Sequence, residues 1–426
     1  MTTMLGALER RNTPLISSLS QIVLPKGYEL LPGLNSIYEL ELALTESAAL
    51  SKDELVLRSA YFATIDDRQT NHFRLCSGLP LQVGKSSARL RAFFEVYKYK
   101  TSYATHGLFP YRGKFHPQLI KAIMNVIGLR QGDLVLDPMT GSGTTNVEAS
   151  LIGIDSIGFD MNPFAVFMSR AKMQGLSLTQ DELSALREDG ESVFEGLTLS
   201  GVQQTLGELS EIQTSKVHPI LLLAYLDALG YSKRVKTKKF PELLPIVLAR
   251  YVSAIGNFIK ARDELGLDLG HAQVEQRDAR DLDKIRSDSV DAVITSPPYS
   301  FAIDYLKGDR LQLEYLGYEL SALRDNMIGL RGSGLKNQVF AYLEDTEKFL
   351  TEMGRVLKPG KFAVIIIGSN SVQLGKVEEA TGLRLEDEIV KTGKKRGLTL
   401  IQRFERPIEG VQNVMKSEHI LFLAKQ

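Results

Sequence analysis

Thr295-Ser296-Pro297-Pro298-Tyr299 brings together a small hydroxyl, two prolines and an aromatic ring. The five residues follow Val290-Asp291-Ala292-Val293-Ile294, whose apolar, β-branched character predicts a short buried strand. Neither proline can donate to a β-ladder, and each restricts the residue before it. The strand must therefore stop in a stiff lip that exposes backbone carbonyls beside Ser296 and Tyr299. Such a lip suits a planar ring carrying an amino group. Hydroxyl and carbonyl accept from the amino hydrogens while the tyrosine stacks on the ring. A packed proline-rich turn satisfies the same five residues taken alone.

A second constellation lies upstream. Asp133-Leu134-Val135-Leu136-Asp137 predicts a strand, and Pro138-Met139-Thr140-Gly141-Ser142-Gly143-Thr144-Thr145 a glycine-rich turn. Asn146 to Ile152 opens a helix, and Ser156-Ile157-Gly158-Phe159-Asp160 is the next strand, ending on an acid. A dinucleotide site needs G-x-G-x-x-G at a helix start that holds a pyrophosphate. That spacing is absent here, and Asp137 directly before the loop would repel a pyrophosphate. A cation bearing ribose hydroxyls fits better, with Asp137 near the positive end and Asp160 accepting from the ribose. S-adenosylmethionine, with its ammonium and sulfonium, is such a ligand. Lys114-Phe115-His116-Pro117 leads into a helix predicted from Gln118 to Ile127, whose free N–H groups beside Lys114 would welcome a carboxylate. Ala272 to Arg280 reads as a strand ending near Asp278, which is either an acceptor for an adenine amino group or a plain turn aspartate.

The elements that must carry these residues alternate between strand and helix, which predicts a doubly wound α/β sheet. Lys358-Pro359-Gly360 reads as a helix stop, Lys361 to Ile367 as a buried strand, and Leu398 to Phe404 with His419 to Leu423 as a terminal antiparallel pair. Residues 1–104 form an N-terminal extension, 105–175 and 270–426 the core, and 176–269 a mainly helical insertion. In the extension, Ile37 to Leu42 and Leu55 to Phe62 suit strands or short helices, and Ser86 to Tyr103 mixes basic and aromatic residues. That mixture fits either a nucleic-acid-facing strand or a solvated amphipathic one. In the insertion, Lys233, Arg234, Lys236, Lys238 and Lys239 crowd one short run, either a solvated loop or a set of phosphate contacts.

Composition narrows the classes. Hydrophobic residues are 43% of the 426, enough for a sizeable core. Basic and acidic residues balance at 51 each, so affinity for nucleic acid must come from local patches. Cys76 is the only cysteine, which removes an internal disulfide framework and any multi-cysteine metal site, and no metal centre is expected. No uninterrupted apolar run approaches the roughly 20 residues of a membrane span, so a cytoplasmic, membrane-free protein is expected.

In this order and spacing, four stretches resemble the amino-group DNA methyltransferases, which methylate cytosine N4 or adenine N6. They are Gly113-Lys114-Phe115-His116-Pro117, Asp137 to Thr145, Asp160-Met161-Asn162-Pro163-Phe164-Ala165 and Thr295 to Tyr299. The resemblance implies a Rossmann-like methyltransferase sheet with S-adenosylmethionine as cofactor. It assigns the methionine part to Lys114, Phe115, His116 and Pro117 and to Asp137, Pro138, Thr140, Gly141, Ser142, Gly143 and Thr144. The ribose falls to Asp160 with Met161 beside it, and the target base to Ser296, Pro297, Pro298 and Tyr299. Serine at 296 is similar to the cytosine-N4 members, and the long helical insertion takes the place of a target-recognition region. DNA is the implied partner, with a cognate restriction endonuclease as a second. The alternatives are an adenine-N6 enzyme, an RNA amino-group methyltransferase and an inactive regulatory subunit on the same fold. Cytosine-C5 chemistry needs a thiolate nucleophile, and Cys76 stands far from any Pro-Cys pair.

Overall fold

The computed structural model describes residues 23–31, 34, 36–77, 101–111, 113–188, 190, 216–234, 238–298, 304–369, 371–407 and 417–426. Most of the basic-aromatic stretch between Ser86 and Tyr103, together with Lys236 and Tyr299, lies outside them.

The N-terminal described residues contain a small sheet of β1 (Tyr28–Leu30), β2 (Phe62–Ile65) and β3 (Arg68–Gln69), with helices α1 (Ile37–Ala49), α2 (Lys52–Arg58) and α3 (Asn71–Ser77). Ile37 to Leu42, open between strand and helix by pattern, is helical because Ser36 and Glu39 form a capping box. Ser51 and Glu54 repeat the device at α2.

The central unit follows as α4 (Pro117–Val126), β4 (Leu134–Asp137), α5 (Thr144–Leu151), β5 (Asp155–Asp160) and α6 (Pro163–Ser177). Helices α7 (Gln180–Glu188), α8 (His218–Arg234) and α9 (Phe240–Leu265) come next, then β6 (Ala272–Gln276) and β7 (Val290–Thr295). Short helices α10 (Tyr305–Gly308), α11 (Arg310–Tyr315) and α12 (Leu320–Arg324) lead to α13 (Leu335–Val356). The chain then runs through β8 (Leu357–Ser369), α14 (Ser371–Thr381), α15 (Leu385–Lys395), β9 (Leu398–Pro407) and β10 (Ser417–Lys425).

Seven strands make one sheet in the order β6-β5-β4-β7-β8-β10-β9. The pairs from β6 to β8 are parallel, and β10 is antiparallel to both its neighbours. This is the expected Rossmann-like doubly wound sheet. Strand order reverses between β4 and β7, and ligands bind such sheets in the crevice beyond the carboxyl ends at that point. Sequence had put the glycine loop after β4 and the Pro-Pro lip after β7, so both open on that crevice.

Side chains on β8 alternate between two apolar layers, as the period of a strand requires. Val364 and Ile366 join one cluster with Leu42, Leu55, Phe62, Ile120 and Ile123. Ala363, Ile365 and Ile367 join the other with Phe349, Met353 and Ile389. Residues 37–65 thus help to cover one face of the main sheet. Helices α8 and α9 are likewise packed in, because Leu222, Val247, Tyr251 and Ile255 share a cluster with Phe164 and Met168 of α6. Helix α9 is long and apolar enough to cross a membrane by length and composition, and this cluster covers one side of it.

The Lys358-Pro359-Gly360 stop behaves differently from expectation. Strand β8 begins at Leu357, and its register against β7 jumps from Val290↔Leu357 to Ala292↔Phe362. Lys358 to Lys361 therefore bulge out of the strand, and both lysines reach the Asp291 carboxylate at 2.8 and 3.5 Å.

Candidate active site

The glycine loop is built from its backbone outward. Thr140 N donates to the Phe159 carbonyl at 2.7 Å, which ties the loop to β5. Gly143 caps α5 at φ +74°, and a Cβ there would stand 2.9 Å from Ser169 Oγ. Glycine is required on both counts. Lys172, buried beneath the loop, donates to the Ser142 carbonyl at 3.1 Å, and burial holds its pKa well below the usual lysine range.

Two acids anchor the strand tips. Asp160 accepts from Gly141 N and Asn162 N, each at 2.8 Å, and burial pushes its pKa up to about 6. Asp137 is fully buried and accepts from Thr145 Oγ1 at 2.7 Å, Thr295 Oγ1 at 2.8 Å and Met139 N at 3.2 Å. Burial raises it to about 7 against the pull of those bonds. Asp137 thus joins the loop after β4 to the end of β7.

One cavity runs along this edge. Ser296 and Pro298 of the lip line it, as do Pro138, Thr140, Gly141, Ser142 and Thr144 of the loop. Asp160 and Met161 line it after β5, and Lys114 and Phe115 close it from the segment before α4. Lys114 Nζ donates to the carbonyls of Thr101 and His106 at 3.0 and 2.9 Å, so one of its three N–H donors remains. Burial brings Lys114 down to about 8.

His116, Pro117, Asp137, Gly143, Pro297 and Asp278 do not line the cavity. His116 and Pro117 serve as N-cap and first residue of α4, and Gly143 caps α5. Asp137 stands behind the loop as its anchor. Asp278 is engaged elsewhere, because Arg280 reaches both its carboxylate oxygens at 2.6–3.0 Å. Of the basic run, Lys233 and Arg234 end α8, and Lys238 and Lys239 precede α9.

The cavity also takes residues that had no role by sequence. Tyr111 and Tyr305 line it with rings stacked at 6.4 Å and 19°. A Cβ on Gly113, at φ +75°, would meet Tyr305 Oη at 2.9 Å, so the glycine lets α10 close over the site. Asn162 donates to Asp309 Oδ2 at 2.8 Å and thereby fastens the β5 tip to α11. Met139, Ala279, Met327 and Ile328 complete the apolar part of the wall.

Comparison with known proteins agrees with this architecture. Residues 108–202 match the UPF0020 family, an RMKL-like methyltransferase domain. The chain is 24% identical over 288 residues to the Type II methyltransferase M.BsoBI of Geobacillus stearothermophilus, covering 54% of this chain and 56% of that one. It is 44% identical over 69 residues to the Type II methyltransferase M.MjaII of Methanocaldococcus jannaschii, covering 16% and 13%. A tRNA (guanine(10)-N2)-dimethyltransferase of Methanothermobacter thermautotrophicus is 33% identical over 75 residues, covering 18% and 22%. The chain thus spans little more than half the length of the first relative and far less of the others. With the sheet order, glycine loop and Ser-Pro-Pro lip in place, these matches put a methyltransferase domain over residues 108–202 and make the chain similar to Type II and tRNA methyltransferases.

Proposed function

We propose that this chain methylates the exocyclic amino group of a base in DNA, at cytosine N4. The observation that carries the reading is that the lip and the loop–acid constellation open on one cavity. A base held at Ser296 and Pro298 would then stand beside whatever the glycine loop and Asp160 hold. S-adenosylmethionine, when bound, supplies a methyl group on an electrophilic sulfonium.

The residues present fit that ligand. Asp160 is a half-buried acceptor for ribose hydroxyls, the remaining N–H of Lys114 suits a carboxylate, and the apolar wall suits a heteroaromatic ring. A base paired within a duplex must be flipped out to reach the lip. Ser296 and the neighbouring carbonyls accept from its amino hydrogens and leave the nitrogen lone pair free to attack. Tyr299 stacks on the ring. Positioning of this kind supplies several kcal/mol of barrier lowering, and no enzyme nucleophile takes part.

Mass spectrometry of nucleosides from DNA and from RNA incubated with the protein and cofactor tests the proposal, and N4-methylcytosine in DNA is the expected product. N6-methyladenine alone would reject the cytosine assignment, and 5-methylcytosine would reject the amino-group mechanism. Tyr299→Ala should slow transfer by removing a stacking contact of about 1–3 kcal/mol, with cofactor affinity unchanged. The match to a tRNA guanine-N2 enzyme supports a second reading, an amino group in RNA, which the RNA arm detects. The Type II naming of two relatives extends the proposal to a cognate restriction endonuclease as partner.

Asp160→Ala should weaken S-adenosylmethionine binding by about 1.5–3 kcal/mol, the range for a hydrogen bond to a charged group. The pH dependence has a definite sign. The ionised carboxylate is the acceptor, so affinity should fall about tenfold per unit as pH drops below about 6. Asp137 and Asp309 titrate nearby, both pushed by burial to about 7. Comparison with Asp160→Asn isolates the Asp160 contribution, and an identical pH profile in that variant would rule Asp160 out.

The cations beside α8 and α9 are assigned to phosphate and not to base choice. Replacing Lys233, Lys238 and Lys239 by glutamine should flatten the log–log dependence of DNA affinity on salt by about one unit per lost contact. An unchanged slope would leave the run as a solvated loop.

A further inference from the structure

The loop between α12 and α13 shuts one end of the cavity, held by a charged bridge that the transfer chemistry does not use. Asp345 of α13 is fully buried and accepts from Arg280 Nη1 at 2.8 Å and from Arg331 Nη2 and Nε at 2.6 and 3.1 Å. Arg280 also donates to the Asn326 carbonyl at 2.6 Å, directly before Met327 and Ile328. Two guanidinium groups converge on one buried carboxylate, and Asp278 holds Arg280 in place from its other side at 2.6 Å, so the joint is stiff. The joint spans the loop, with Arg280 fastening its beginning and Arg331 its end.

The cavity lining follows strand order along the sheet edge. Ser296 comes after β7, Gly141 after β4, Asp160 after β5 and Ala279 after β6. A donor whose methyl must reach the lip and whose ribose meets Asp160 has its base beyond Asp160, towards Ala279. There Ile328 packs in one cluster with Phe159 and Ala279. Asp278, the acid sequence would choose for the adenine, is taken by Arg280.

We propose that Met327 and Ile328 form a wall of the adenine pocket, and that the Arg280–Asp345–Arg331 bridge fixes how large an adenosyl base the pocket admits. The proposal rests on the cofactor placement given above. Asp345 and the two arginines are positioning residues; Ile328 sets specificity by contact.

The test is calorimetric binding to the full chain of S-adenosylhomocysteine and two analogues, one with a benzyl group on N6 and one with a phenyl group on C2 of the adenine. The native protein should reject both analogues. Ile328→Ala should relax the discrimination about tenfold for the analogue whose substituent meets the wall, the scale of a small change in an apolar pocket. Asp345→Asn should relax it in the same direction by less. A general loss of stability lowers all three affinities together and cannot raise one ratio, so the readout separates a wall from a merely structural loop. If Ile328→Ala does not fold, Met327→Ala reads the same wall. Unchanged discrimination in the folded variants, or native protein that takes both analogues as readily as the parent, overturns the proposal. Failure of the native protein to bind S-adenosylhomocysteine at all would instead bring down the cofactor placement beneath it.

Discussion

Replacing Glu148 by alanine should lower stability by about 3–5 kcal/mol, the range for breaking a buried ion pair from one side. Glu148 is fully buried on α5, where it accepts from Tyr103 Oη at 2.5 Å and His106 Nε2 at 2.6 Å, with Lys121 Nζ at 3.2 Å. Burial and nearby lysines hold His106 down at about 4, so at neutral pH it is an uncharged donor and Lys121 is the counter-charge. Burial pushes the Glu148 carboxyl up, but Lys121 and the bonds from His106 and Tyr103 outweigh it and leave the group at about 2. Alanine would strand the Lys121 ammonium beside His72, whose Nδ1 lies 3.0 Å away.

Urea denaturation of both proteins measures the loss, and a value under about 1 kcal/mol would show that Lys121 finds another partner. The sign with pH follows from the depressed carboxyl. Its contribution is complete above the ordinary value of 4.5 and is lost as pH falls towards about 2. The gap between native and variant protein should therefore close in that acidic window.

Asp137→Ala should remove about 2–4 kcal/mol and cofactor binding with it, because two buried hydroxyls and the half-buried Met139 N–H lose their acceptor at once. Those donors belong to the loop after β4, to α5 and to β7, so the change unfastens the glycine loop from the lip. Asp137→Asn keeps an acceptor and should cost less. The pH dependence runs opposite to that of Glu148. The folded pKa is raised from 3.8 to about 7, so the stability linked to the bound proton is full at low pH and is lost as pH rises through about 7. Full retention of cofactor affinity in the alanine variant would show that loop and lip are positioned independently.

What sequence made legible here was local. The glycine loop, the acid closing β5 and the Pro-Pro stop after β7 are each written in adjacent residues whose backbone limits permit few conformations. The doubly wound class then followed from strands alternating with helices, while the strand order came only with the structure. Tyr305, Met327 and Ile328 escaped because they reach the cavity from separate segments, and nothing in their neighbours marks them, whereas Asn162 stood within the Asp160 to Ala165 stretch without a role of its own. Asp278 misled because an acid after a strand looks alike whether it faces a ligand or an arginine two residues on. The Lys358-Pro359-Gly360 signal did mark a break in regular structure, but only register shows that the break lies inside a strand.

The place of β10 between β8 and β9 has a kinetic consequence. Strand β9 precedes β10 in the chain yet pairs with it alone, so β9 has no sheet to join until β10 exists. The two are close in sequence, and hairpins of this kind form in about 1–10 μs. Docking that hairpin on β8 is the slower, non-local event. Until it occurs, β8 presents a bare edge through Ala363, Val364, Ile365, Ile366 and Ile367, an apolar template of the kind that recruits other chains. Once docked, the sheet ends instead on β9, where Gln402 and Arg403 face water and discourage further strand addition. Refolding yield should therefore depend on protein concentration during the interval before docking.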